Sequence, residues 1–144
     1  LIGANLTYAR MGEANLAGTN LTDAILAGAI LAGADLSSIV SLLSADLSRA
    51  DLRSANLSGR FMGGADLSYA NLSDANLSDA NLLNAILTGA NLTRADLSRA
   101  ELINAKLINA SLISANLTDA ILDGADLSGA ALLFAILPDG SFID

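Results

Sequence analysis

Leucine, or a large residue standing in for it, recurs at every fifth position of this chain, and small and polar residues fill the gaps. One series runs Leu1, Leu6, Met11, Leu16, Leu21, Leu26, Leu31 and Leu36; a second starts at Leu42 and continues in fives to Leu137 and Phe142. Of these 29 centres, 26 are Leu, and the residue two before a centre is Ala in 24 of 28 cases, the exceptions being Thr19, Val40, Arg60 and Gly140. Asn or Asp usually stands between that Ala and the centre, and Ser or Thr follows it, as in Ala65-Asp66-Leu67-Ser68-Tyr69 and Ala75-Asn76-Leu77-Ser78-Asp79.

A period of five suits neither regular element. On an α-helix, successive centres would step about 140° around the axis and spread over every face. On a continuous strand an odd spacing would send alternate leucines to opposite faces. The density of Asn, Asp, Ser and Gly also opposes long helices. What remains is a chain that bends once per repeat, bringing each centre back to the same inner side, with stacked coils paired through their backbones as in a β-helix.

Composition narrows the chemistry. Hydrophobic residues make up 53% of the 144, yet the longest unbroken apolar run, Ala130 to Leu137, is far short of a bilayer-spanning helix of ~20 residues. No basic segment followed by an apolar stretch marks a signal peptide. The first residue is Leu1 rather than Met, and no N-terminal cap is visible, so an upstream segment is expected. Cys and His are both absent, which removes disulfides, thiolate and imidazole metal sites, and Cys- or His-based nucleophilic catalysis. Fifteen acids against seven bases give a net charge of −8, unfavourable for direct contact with nucleic acid or an anionic membrane.

The tandem string A-[DN]-L-x-x, carried over essentially the whole chain, resembles the pentapeptide repeat family. The resemblance implies an all-β fold, a right-handed quadrilateral β-helix with four pentads per coil and about seven coils, as one domain over residues 1–144. In that frame the centres, among them Leu67, Leu72, Leu77, Leu82, Leu97 and Leu102, point inward and fill the axis. Burial of each is worth ~2 kcal/mol before entropy. Asn or Asp before the centre can bond turn amides and ladder along the axis. Gly two after the centre, as at Gly59 and Gly89, suits a turn that needs positive φ. The Leu- and Ala-rich, gap-poor style is similar to cyanobacterial members and plastid-lumen relatives; compartment stays open.

Breaks in the pattern locate candidate function. One additional residue lies within 37–41, a register slip of the kind a bulge absorbs. At Gly59-Arg60-Phe61-Met62-Gly63-Gly64, Arg60 replaces Ala and Phe61 replaces Asx, and Arg60 should swing outward or meet an acid. Phe61 and Tyr69 are rare aromatics directed outward. Ile103, Ile108 and Ile113 follow three successive centres and should lie on adjacent faces of one coil, with Leu83 stacked under Ile103 and Leu133 over Ile113. Such an apolar belt, with Phe134, is a candidate protein interface. At the C-terminus, Pro138 breaks the coil and Phe142 takes the last centre, so 134–144 is read as an end cap, either closing on itself or joining a second copy end to end.

Charge layout bears on a second reading. Some pentapeptide repeat proteins inhibit DNA gyrase by imitating duplex DNA, so the resemblance makes gyrase the alternative partner. Residues 20 apart should stack, which places Asp79, Arg99, Asp119 and Asp139 in one column and Asp74 beside Arg94 in another. Columns of alternating sign favour ion pairs between coils over a phosphate-like stripe. A convex rod with a filled axis offers no catalytic pocket, and the G-G-x-G-x-D spacing of calcium-binding β-rolls does not occur. The sequence therefore predicts a non-enzymatic rod, without cofactor or metal, that presents an outer face or an end to a protein partner.

Overall fold

In a computed structural model describing residues 1–143, the chain winds into a four-sided coil whose successive turns are joined by parallel bridges. Asp144, the last residue of the expected cap, lies outside the described residues. From Asp46 onward each bridge joins residues 20 apart, as in Asp46 to Asp66, Asp51 to Asn71, Asn56 to Asn76 and Phe61 to Asn81. These four columns define sides one, two, three and four in that order. Below them the steps are 21 residues wherever the slip intervenes, as in Asn20 to Ser41 and Asp35 to Asn56. The slip therefore leaves every side in line.

Each pentad has the same local logic. The amide of Ala70 donates back to the Leu67 carbonyl at 3.1 Å, closing a tight turn, and the corresponding bond recurs pentad after pentad. The second turn residue takes the left-handed region: sixteen non-glycine residues there hold φ between 55 and 60°. One positive φ at this point is the signature of a type II turn. Asx before the centre fixes the turn from outside, Asp66 accepting from the Ser68 amide at 2.8 Å and the Ser68 hydroxyl at 2.6 Å. Ladders between coils are sparser: Asn91 donates to Asn71 and Asn116 to Asp96.

Packing follows from that geometry. The axis is dry, with Leu67, Leu72, Leu77, Leu82, Leu97 and Leu102 all fully buried and the Ala residues closing the wall around them. Main-chain bonds run along the axis. Along most of the rod a centre amide donates up to the next coil, as in Leu47 to the Asp66 carbonyl at 2.7 Å, and an Asx-position amide donates down, as in Asp66 to the Ala45 carbonyl at 2.9 Å. The sides consequently present side chains, not free strand edges.

Two details differ from the sequence reading. Ile39, not Val40, takes the inward Ala position: Ile39 is 1% exposed and Val40 52%. Val40 is the bulged residue. Phe142 does not occupy a final inward centre; it bridges Ile136 in antiparallel sense and its side chain is 67% exposed. Pro138 turns the chain back on itself, so residues 138–143 form a small hairpin closed by Leu137 to Ser141 at 2.8 Å and Phe134 to Ile143 at 2.7 Å. It covers side three alone, and Leu122, Leu127 and Leu132 on the other sides are only partly buried.

Candidate functional site: an apolar side of the rod

The sides differ in chemistry. Below the C-terminal hairpin, side three presents Asn and Asp (Asn56, Asn76, Asp96, Asn116) followed by Ser or Thr, and contributes no exposed large hydrophobic residue among the described residues. Side four, with the corner that follows it, presents Val40, Leu43, Phe61, Leu83 and Ile121 at 38–61% exposure. The corner column is documented by backbone bonds that climb coil by coil: Ser44 to the Gly63 carbonyl, Gly64 to Leu83, Asn84 to Ile103 and Asn104 to Asp123, at 2.8–3.0 Å. Leu43, Gly63, Leu83, Ile103 and Asp123 thus stand one above another.

The two breaks in the repeat prove to be one feature. Phe61 stands over Ser41, the residue next to the bulge, and among the described residues no bridge joins the two. Arg60 neither swings free nor meets an acid. Its guanidinium donates to the carbonyl of Ile39 in the bulged segment and to that of Ser58. Arg60 therefore supplies donors to a carbonyl at the distorted corner, a role Ala could not fill. The outcome is an apolar knob of Val40, Leu43 and Phe61 at mid-rod.

The other predicted residues are dispersed. Ile103, Ile108 and Ile113 occupy three successive corners and are half-buried, each leaning on its own side. Of these only Ile103 joins side four, where it lies over Leu83. Leu133 and Phe134, 46% and 59% exposed, belong with Ile113 at the top of side two. Tyr69, on the corner of side one, has the Arg49 guanidinium 5.9 Å from its ring centroid and lies against Gly89, so its ring is committed to its own column. Val40, Leu43 and Ile121 were not foreseen as site residues. Extending the 20-residue column down from Leu83 would have put Leu43 with Leu83 and Ile103.

Charges sit where the columns placed them. Arg94 is bidentate to Asp74 at 2.6 and 2.8 Å, and Arg99 to Asp79 at 2.7 Å twice. Those bonds hold the Asp74 and Asp79 carboxyls below their ordinary value and raise both guanidiniums. Hydroxyl bonds from Ser37, Ser128 and Ser141 likewise depress Asp35, Asp126 and Asp139. A shallow depression of about 330 Å³ near the N-terminus, lined by Arg10, Gly12, Glu13 and Ile30, holds one cation and one acid without convergent partners. No helix among the described residues is long and apolar enough to cross a membrane.

A four-sided coil of pentads with inward leucines is the architecture of the right-handed quadrilateral β-helix. The chain belongs to the pentapeptide repeat family: eight copies of the pentapeptide repeats profile match, within residues 1–37 and 45–132. It is similar to HetL, a pentapeptide repeat protein involved in heterocyst differentiation regulation in the cyanobacterium Nostoc sp. strain PCC 7120, at 40% identity and a TM-score of 0.76 over 99% of this chain. The chain spans 65% of HetL's length. It is also similar to Rfr23 of the cyanobacterium Cyanothece 51142, at 31% identity over 90% of this chain and 84% of that one, with a TM-score of 0.38. QnrB1, a plasmid-mediated fluoroquinolone resistance protein, matches at 20% identity and a TM-score of 0.34 over 88% of this chain and 69% of that one. No curated protein matches the chain. The cyanobacterial style read from the repeat is thus found in its relatives.

Proposed function

We propose that the protein is a non-enzymatic interaction rod, one domain of about seven coils, that docks a protein partner on its outside. The observation that carries this reading is side four: Val40, Leu43, Phe61, Leu83 and Ile121 stand exposed along one side and its corner, the last four at positions where the repeat usually places Asx or Ser. A contiguous apolar surface on a convex, closed body is the ordinary mark of a protein contact. Likeness to HetL, a protein of differentiation control, suits a binding role and leaves the partner to experiment.

The test compares capture by the parent chain with capture by two variants, Leu43→Ser/Phe61→Ser/Leu83→Ser on side four and Ile108→Ser/Ile113→Ser on the neighbouring corners. Partners lost with the first variant and kept with the second support the reading. An identical set captured by all three overturns it.

Two other contacts are proposals of lower rank. Gyrase inhibition would need an uninterrupted acidic column, and the Asp74–Arg94 and Asp79–Arg99 pairs break it. No effect on supercoiling at micromolar protein removes that alternative. An end-to-end homodimer through the C-terminal end would cover Leu122, Leu127 and Leu132 on the three sides the hairpin leaves open. Sedimentation showing only monomer at high concentration removes it.

A further inference from the structure

Side four has a shape and a charge that narrow its occupant. The ridge Leu43, Gly63, Leu83, Ile103 advances one coil per residue, and coils stack at about 4.8 Å. Gly63 lowers the ridge at its second step, where Leu43 Cδ1 leans in to 3.2 Å from where a Cβ would be, with the Leu83 carbonyl oxygen at 3.6 Å and Asn81 Oδ1 at 3.7 Å. An α-helix laid along the rod offers an apolar residue once per turn, every ~5.4 Å, close to that step over three coils. An extended strand offers same-face side chains about every 6.8 Å, and the Asn81 and Glu101 amides and the Phe61, Asn81 and Glu101 carbonyls are already bonded between coils, leaving little for strand addition.

Acids outnumber free cations around the ridge. Glu101 lies beside Ile103, held by a bond from Asn81 at 2.6 Å, and Asp123 caps the column; Asp23 stands at the foot of the same corner and Asp119 at the corner before side four. Of the nearby cations, Arg99 is engaged with Asp79 and Arg60 with main-chain carbonyls, and Lys106 stands on side one, past the Ile103 corner and under Asp126. A second copy would bring the same acids against these ones, which disfavours self-association through this side. Resting on the interaction-rod reading above, we infer that side four is a docking surface for a cationic amphipathic helix of a partner protein. Its apolar stripe would lie on Leu43, Leu83 and Ile103 across the Gly63 notch, and its Lys or Arg residues would face Glu101 and Asp123.

The probe is a synthetic Leu/Lys amphipathic helix of about 18 residues, ~27 Å long, compared with its Leu/Glu counterpart. Binding is read by fluorescence anisotropy at two salt concentrations and located by amide shifts in the ¹⁵N-labelled protein. The Leu/Lys helix should bind, with shifts centred on Gly63, Gly64, Asn84 and Asn104, and the Leu/Glu helix should not. Leu43→Ser/Leu83→Ser should weaken binding tenfold or more, and Glu101→Gln/Asp123→Asn about threefold to tenfold, while Asp96→Asn on side three leaves it unchanged. A melting curve for each variant confirms that the rod is intact. Equal binding of both helices, shifts centred on side three, or affinity indifferent to Leu43→Ser/Leu83→Ser overturns the inference. Shifts centred elsewhere would still leave the rod a binding protein, whereas an unchanged capture set in the experiment above would remove that broader reading.

Discussion

Replacing Gly89 by Ala tests how the corner columns are built. Gly59 and Gly89 both occupy the left-handed turn position, with φ of 66°. A Cβ at Gly59 meets nothing within 4 Å, so Gly59→Ala isolates the backbone term. An L-residue in this region costs about 1–2 kcal/mol, and the less flexible unfolded chain returns about 0.4–1, for a net loss of about 0.5–1 kcal/mol. At Gly89 the added methyl would sit 2.6 Å from Tyr69 Cε1, so the ring must rotate away. Uncovering about 40 Å² of apolar contact adds ~1 kcal/mol, and losing the stack on Arg49 about 0.5 more. Gly89→Ala should therefore lose about 2 kcal/mol in guanidinium unfolding at constant slope. In a Tyr69→Ala background the same substitution should fall back to the Gly59→Ala value, a coupling of ~1–1.5 kcal/mol. Equal losses at Gly59 and Gly89, or a coupling below ~0.3 kcal/mol, would show that the ring does not rest on the glycine.

Further outcomes follow from the axis, the bulge and the carboxylates. Leu82→Ala, at a fully buried centre, should cost about 3–4 kcal/mol, whereas Met62→Leu should change stability by less than ~1.5; thermal melts check both. Arg60→Ala alone should destabilise by about 1–2 kcal/mol because the Ile39 carbonyl loses its donor, and deleting Val40 in the same chain should recover most of the loss by restoring the regular repeat. Depressed carboxyls at Asp74, Asp79, Asp35 and Asp126 contribute stability above the ordinary aspartate value of 3.8 that is lost as pH falls below it through the folded values; denaturant midpoints should be level from neutral to about that pH and drop beneath it. Midpoints that rise on acidification would reverse the assigned sign.

Much of the architecture was legible because one physical demand, burial of every fifth residue, repeats without interruption, and a five-residue period has few solutions. The four-sided section came from resemblance, since nothing in the pattern counts sides. The Asp74–Arg94 and Asp79–Arg99 pairs followed from the 20-residue step alone. Side four was only partly read: the 20-residue step stacks Leu83 under Ile103, but a one-letter slip at 37–41 does not show that Val40 is turned outward beside Ser41, beneath Phe61. Ile39 and Val40 are both β-branched and apolar, so composition could not tell which turns inward; the wall admits only the one at the Ala position. Phe142 misled for a related reason: the spacing rule extends past Pro138 on paper, but the chain has already reversed.

The identity of each flank depends on counting residues modulo twenty. Duplication of twenty residues would lengthen the column and keep every flank's chemistry aligned, while gain of a single pentad would rotate everything above it by a quarter turn and splice the hydrophobic flank onto the serine- and asparagine-lined one. The lone additional residue at Val40 escapes that penalty because it is looped out rather than propagated. Lineages carrying this rod are therefore expected to vary in length by whole turns and to accept single-residue gains only where a looped-out residue can be accommodated, as Arg60 does here.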